Sequence, residues 1–277
     1  MEFRTVTTGT QPFVISQEGD GPDIVLLHGF PDTPYSFVEL QRELLGAGWR
    51  ATVPWLRGYH AETIVAGRPY DPETLGRDVL ALLDAIGVPR AVVVGHDWGA
   101  LATYVAATLA PERVRGMVTL GIPHPSVLRR TPASLWAVRH FFALKLPWAA
   151  RSLSRDDFAY MERLYGRWAP NWSGAEREET IAQAKRALSS PATLNGAIDY
   201  YRALPLGGTR LLEQPPAVPG LIVGGTRDVA SAELYRASAA LLPAPSRALV
   251  VDGVGHWPHR EDAARVVPEI VGFVGGL

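Results

Sequence analysis

The stretch Ala91-Val92-Val93-Val94-Gly95-His96-Asp97-Trp98-Gly99-Ala100 decides the fold. Its first four residues form a short apolar, β-branched run that reads as a buried strand, and the run from Gly99 to Leu109 reads as a helix. Small residues stand two positions before and two after Asp97. That spacing lets a chain turn sharply from strand to helix and hold one side chain exposed at the carboxyl edge of a parallel sheet. The exposed position commonly carries serine; here it carries a carboxylate. A serine must lose a proton before it attacks, whereas an aspartate is already ionised and displaces a leaving group from saturated carbon, leaving an ester on the protein. Water must then cleave that ester. The expected chemistry is hydrolysis at sp3 carbon, with epoxides or alkyl halides as electrophiles.

The remainder of the chain supplies partners in matching order. The strand-like run Leu221-Ile222-Val223 leads into Gly224-Gly225-Thr226-Arg227-Asp228, and Ala248-Leu249-Val250-Val251 leads into Gly253-Val254-Gly255-His256-Trp257. Asp228 and His256 therefore sit just past strands, where open α/β sheets place their sites. His256 is expected to activate water as a general base, and Asp228 to fix its tautomer and stabilise the imidazolium. Upstream, Ile24-Val25-Leu26-Leu27 runs into His28-Gly29-Phe30-Pro31, whose glycine lets a backbone N–H face the nucleophile. The backbone N–H groups of Phe30 and Trp98 are the expected oxyanion hole, each such donor worth about 2.7 to 4 kcal/mol.

Working outward, Phe3 to Ser16 alternates weakly and predicts an antiparallel pair at a sheet edge. From Ile24, strand and helix patterns alternate: helices near 36–45, 72–86 and 99–109, and strands near 50–53, 91–94 and 114–120. This is the pattern of an α/β fold with a mainly parallel central sheet flanked by helices. From Pro125 to about Pro205 strand signals vanish, and aromatic residues and arginines recur at helical spacing, notably in 155–168, 175–188 and 191–204. Alternation resumes at Leu221 and ends in a helix through Asp262 to Val274. The expected organisation is a core of residues 1–124 and 206–277 with a helical insertion at 125–205.

Together, His28-Gly29-Phe30-Pro31, Arg57-Gly58-Tyr59, Gly95-His96-Asp97-Trp98-Gly99, Asp228 and Gly255-His256-Trp257 resemble the α/β-hydrolase-fold epoxide hydrolases, with haloalkane and haloacetate dehalogenases as near relatives. The resemblance spans essentially the whole chain. It implies that the insertion is a cap closing over the nucleophile, and that two cap tyrosines face the epoxide oxygen. Asn195 to Arg202 looks like the motif carrying the second, with Tyr201 at the matching place; Leu194, Ile198 and Tyr201 share a helical face while Tyr200 is turned about 100° away. The first tyrosine's place is taken by His140, which can donate a hydrogen bond and, if protonated, act as an acid. A histidine there also resembles the halide-binding cap histidine of haloacetate dehalogenases. Those enzymes hold the substrate carboxylate with arginines after the nucleophile, where this chain has Trp98 and Leu101. Haloalkane dehalogenases often pair the tryptophan with an asparagine at the place of Phe30, whose side chain has no donor. Dehalogenation, and ligand binding without catalysis, stay open as alternatives.

Composition narrows the rest. A chain of 277 residues suits one α/β domain with an insertion. A net charge of −1 offers no electrostatic footprint for nucleic acid or an anionic membrane, so neither is an expected partner, and the lack of cysteine removes thiolate chemistry and disulfides. The first 20 residues have no long apolar core, so a signal peptide is not expected and a cytoplasmic location is. The expected partners are a small apolar epoxide and water, with monomer or homodimer left open. His28, His96, His124, His256 and His259 raise the thought of a metal, yet no zincin signature occurs and the chemistry needs neither metal nor cofactor. His28 and His96 are expected to support the loop and the elbow. Trp136, Phe141, Phe142, Trp148, Trp168 and Trp172 read as mostly core, a subset walling an apolar cavity.

Overall fold

Successive side chains along a strand point to opposite faces, and in the central strands both sets are buried, so the sheet has two covered faces. In a computed structural model, which describes residues 1–9, 11–67, 69–129, 131–132, 136, 138–205 and 209–277, the strands are β1 (Arg4–Thr8), β2 (Gln11–Glu18), β3 (Asp23–Leu27), β4 (Arg50–Pro54), β5 (Ala91–His96), β6 (Val114–Leu120), β7 (Gly220–Gly225) and β8 (Arg247–Val251). They form one sheet in the order β1-β2-β4-β3-β5-β6-β7-β8. The pairs β1/β2 and β2/β4 are antiparallel and all others parallel. Val25, Leu27, Val93, Met117 and Ile222 point to one face, and Ile24, Leu26, Val92, Val94, Val118, Leu120, Leu221 and Val223 to the other. Burial on both faces explains why these strands read as continuous apolar runs.

Helices α1 (Val38–Gly46), α2 (Pro72–Ala85) and α3 (Trp98–Leu109) belong to the first half. α2 starts at Asp71, whose side chain accepts from Thr74 N, with Pro72 at the first helical position. Between β6 and β7 the described elements are helical: α4 (Arg139–Lys145), α5 (Ala149–Trp168), α6 (Ala175–Ala187), α7 (Pro191–Ala203) and the short α8 (Arg210–Glu213). α9 (Ala232–Ala240), α10 (Pro258–Glu261) and α11 (Ala263–Gly275) complete the second half. The expected boundary after residue 205 meets residues 206–208, which lie outside the described residues.

Two expectations change. The helix expected over 155–168 is the second piece of α5, which breaks at Arg155–Phe158, where Asp156, Asp157 and Phe158 take φ of 51°, 51° and 61°. Aspartate tolerates that region better than most residues, and Asp157 is tied to Lys185 at 2.7 Å. The aromatic residues also divide. Trp168 and Trp172 are buried and Phe141 partly so, whereas Trp136, Phe142 and Trp148 are 69%, 47% and 59% exposed. The reason lies in α4: it buries His140 and Leu144, which share one helical side, and Phe142 falls on the other.

Candidate active site

Asp97 stands between β5 and α3 with φ 50° and ψ −114°, a backbone conformation that costs a non-glycine residue on the order of 1–3 kcal/mol. The turn is held by Asp97 N–H donating to Leu120 O and by Leu101 N–H donating to Asp97 O, both 3.1 Å. Glycine is required beside it: a Cβ on Gly99 would lie 2.1 Å from Leu27 O, and one on Gly29 would lie 2.4 Å from Asp97 Cβ. These close approaches bring β3 and β5 near enough for Phe30 N–H to donate to Asp97 Oδ1 at 2.8 Å. Trp98 is the first residue of α3, so its N–H has no helical acceptor.

The other Asp97 oxygen, Oδ2, lies 3.4 Å from His256 Nε2, and His256 Nδ1 lies 3.0 Å from Asp228 Oδ1. The three side chains expected from three separate strand ends thus form one line. Burial works against charge on His256, but Asp228, by charge and hydrogen bond, and then Asp97 outweigh it and push the imidazole up to about 10. Burial also works against charge on Asp97; the His256 hydrogen bond and charge, His96 and the Phe30 N–H together hold its carboxyl below the usual value. Asp97 and Asp228 on either side thus favour the charged form of His256.

Several supports were not legible in the sequence. Tyr235 OH donates to Asp228 Oδ2 at 2.5 Å and also reaches Gly121 O at 3.1 Å, while Val229 N–H donates to Asp228 Oδ1 at 2.6 Å. The N–H groups on either side of His256 go to one carboxylate: Gly255 N to Glu261 Oε2 at 2.7 Å and Trp257 N to Glu261 Oε1 at 2.9 Å. His256 N–H itself donates to Trp168 O at 2.9 Å, tying the His256 loop to the end of α5. Tyr165 OH donates to Pro31 O, and its ring stacks on Trp257 with centroids 4.2 Å apart. The spacing of Glu261 from His256 was the one available signal, a carboxylate within a turn's reach of glycine-flanked backbone.

The histidines separate by environment. His28 Nε2 accepts from Leu56 N–H at 3.1 Å, so its hydrogen is on Nδ1, facing Gly29 O at 3.1 Å; burial holds this imidazole down at about 4. His96 Nε2 donates to His256 O at 2.9 Å and its Nδ1 lies 3.2 Å from Asp32 Oδ2. Asp32, His96 and His259 bring potential ligand atoms within 4.8 Å of one another, all buried; His28 and His124 are not in that group. His124 Nδ1 instead meets Ser126 Oγ at 2.7 Å.

On the insertion side, Tyr201 packs edge-on against Phe30 and Trp98, with centroids 5.3 and 4.9 Å away, and burial and then the Asp97 charge raise its hydroxyl well above the ordinary value. Tyr200 turns away, its OH donating to Arg57 O at 2.7 Å. His140 is buried, its ring 6.0 Å from that of Tyr201 and 4.7 Å from that of Trp168, which in turn packs 5.3 Å from His256. Arg167 Nη2 donates to His140 Nδ1 at 3.0 Å. An accepting Nδ1 leaves the ring hydrogen on Nε2. Phe141, 5.1 Å from Tyr201 and 6.0 Å from Trp98, completes an aromatic wall.

Known proteins share this arrangement of sheet and insertion. The chain is 30% identical to the AB hydrolase superfamily protein YfhM of Bacillus subtilis over 89% of its own length and 88% of that protein's. It is 28% identical to an epoxide hydrolase of Caballeronia sordidicola, over 99% and 93% of the two chains. The solved structure of epoxide hydrolase VrEH1 from Vigna radiata superposes with a TM-score of 0.83 at 24% identity, covering 100% of this chain and 98% of that one, a likeness of fold. The family model for the alpha/beta hydrolase fold matches residues 22–263, a span that takes in the elbow, Asp228 and His256 alike, and the chain belongs to that family.

Proposed function

We propose that the protein is an epoxide hydrolase that opens an epoxide to a vicinal diol through an ester on Asp97. The observation that carries this reading is the position of Asp97: a carboxylate, where a hydroxyl would serve acyl transfer, with one oxygen on Phe30 N–H and the other on His256. The relative from Caballeronia sordidicola, named an epoxide hydrolase, supports the same substrate class. The helical insertion acts as the cap, and Tyr201 is its principal donor.

In the first step an Asp97 oxygen attacks a ring carbon, the C–O bond breaks, and the alkoxide takes the Tyr201 proton; His140, with its hydrogen on Nε2, is a second donor. A tyrosine whose hydroxyl is raised keeps its proton at rest and yields it to a strongly basic alkoxide. Esterification removes the Asp97 charge, and with it part of what holds the His256 proton. His256 then returns that proton to the tyrosinate and becomes the neutral base. Water attacks the ester carbonyl, giving one proton to His256, while the Phe30 and Trp98 N–H groups receive the oxyanion. Collapse expels the diol, which takes the second water proton, and restores Asp97 as carboxylate beside imidazolium.

The test is trapping. His256→Gln incubated with a styrene-type epoxide is expected to gain the mass of one substrate on the Asp97 peptide, and wild-type single turnover in oxygen-18 water to label Asp97. Diol formation with label only in product would overturn the ester route. A second reading, dehalogenation by the same carboxylate, is favoured by the Trp98 indole N–H, a weak donor buried at the site. Halide release from 1-haloalkanes without diol formation from epoxides would select it.

A further inference from the structure

The net charge of −1 hides an uneven distribution. From Leu128 to Arg155 the chain carries Arg129, Arg130, Arg139, Lys145, Arg151 and Arg155 and no aspartate or glutamate. The same segment holds five of the eight large apolar side chains that are exposed among the described residues: Leu128, Trp136, Phe142, Leu146 and Trp148. Surface tryptophan, phenylalanine and leucine scattered singly need no explanation, but concentrated in one segment they do.

The geometry gathers most of them. On α4, His140 and Leu144 face inward; stepping 100° per residue puts Arg139, Phe142 and Leu146 together on the opposite side. The Arg139 guanidinium lies over the Trp136 ring at 4.4 Å and donates to Trp136 O at 2.8 Å. Trp148 opens α5, and Arg151 and Arg155 follow it at i+3 and i+7 on one helical side, both exposed. The first acids reached are Asp156, 3.4 Å from Arg155, and Asp157, held by Lys185.

We propose that this outer face of the insertion docks on an anionic phospholipid surface. Tryptophan and phenylalanine beside arginine, in a segment with no acid before Asp156, is the chemistry of a helix lying in a membrane interface, where rings enter the headgroup level and cations meet lipid phosphates. A second copy of the chain is the weaker occupant, because pairing this face with itself opposes cation to cation. No described helix is long and apolar enough to cross a membrane, so the attachment is peripheral. The inference stands on the surface and not on the substrate assigned above.

Sedimentation of the full chain with phosphatidylcholine vesicles, with and without about 30 mol % phosphatidylglycerol, tests it. Binding is expected only with the anionic lipid, at low ionic strength, and to be lost at high salt. Arg139→Glu with Arg151→Glu is expected to weaken binding on the order of ten-fold or more, and Trp136→Ser with Trp148→Ser to weaken it likewise, while Val38→Ser with Leu241→Ser, on other exposed apolar positions, changes nothing. Brominated acyl chains are expected to quench wild-type tryptophan emission. Trp136→Phe with Trp148→Phe is expected to abolish that quenching yet still sediment. Absence of wild-type binding at low salt, or equal binding by the charge-reversed variant, would overturn the proposal. So would a concentration-dependent dimer without lipid affinity that Trp148→Ser dissociates, which makes the face an interface between copies.

Discussion

The two halves of the site are built by different means. On the sheet side, Asp97, Asp228 and His256 follow strand ends, and backbone groups fix them: Phe30 N–H on Asp97, Val229 N–H on Asp228, and Glu261 clamping both neighbours of His256. On the insertion side, Tyr201 and His140 come from α7 and α4 and are fixed by aromatic edges and one guanidinium. Backbone hydrogen bonds at strand ends allow little freedom of direction, whereas ring contacts tolerate sliding. The sheet side is therefore suited to covalent chemistry, which demands a fixed attack geometry, and the insertion side to proton donation and substrate fit.

This contrast predicts a graded set of losses. Asp97→Ala and His256→Gln are each expected to reduce steady-state diol formation by about four orders of magnitude or more, the second with the ester accumulating. Asp228→Asn is expected to cost about three orders, seen in burst kinetics as slowed ester hydrolysis with ester formation nearly intact. Slowed alkylation alone would assign the His256-orienting role to another carboxylate. Tyr201→Phe keeps the ring and deletes the donor; ring opening is expected to fall about 100-fold. A Tyr201→Phe loss as deep as that of Asp97→Ala would break the contrast. Smaller still, Tyr235→Phe is expected to slow ester hydrolysis about ten-fold through Asp228, and Arg167→Met to slow ring opening about ten-fold through His140, with pre-steady-state rates telling the two apart.

Stability against pH sharpens the same comparison. His256, raised to about 10 from an ordinary 6.5, binds a proton more tightly folded than unfolded. Its contribution is whole below pH 6.5 and is lost as pH rises through about 10. His28 and His124, both lowered to about 4 by burial, act in the opposite sense: the unfolded chain takes up protons first, so stability falls as pH drops from 6.5 towards 4. Melting temperature against pH should decline on both sides, and His256→Gln should flatten the alkaline limb.

Strand ends with glycine-flanked polar residues were legible because steric need writes them locally: Gly95 and Gly99 around Asp97, and Gly29 before Phe30, admit no Cβ. The parallel sheet, the helical insertion and the candidate trio of Asp97, Asp228 and His256 followed from such signals and from apolar periodicity. The sequence by itself determined which residue types stand at the sheet edge and in which order. Tertiary structure alone decided how the trio is held and what faces it. Tyr235 and Tyr165 read as ordinary core tyrosines until folding brings them to Asp228 and Pro31. Arg167 fixes the hydrogen of His140 from 27 residues away. Trp136, Phe142 and Trp148 look like core by residue type, yet all three are exposed, Phe142 and Trp148 because the rotation of α4 and the start of α5 turn them outward. Periodicity along a helix records an apolar face, but which neighbour covers that face, or whether any does, is settled only when the helices pack.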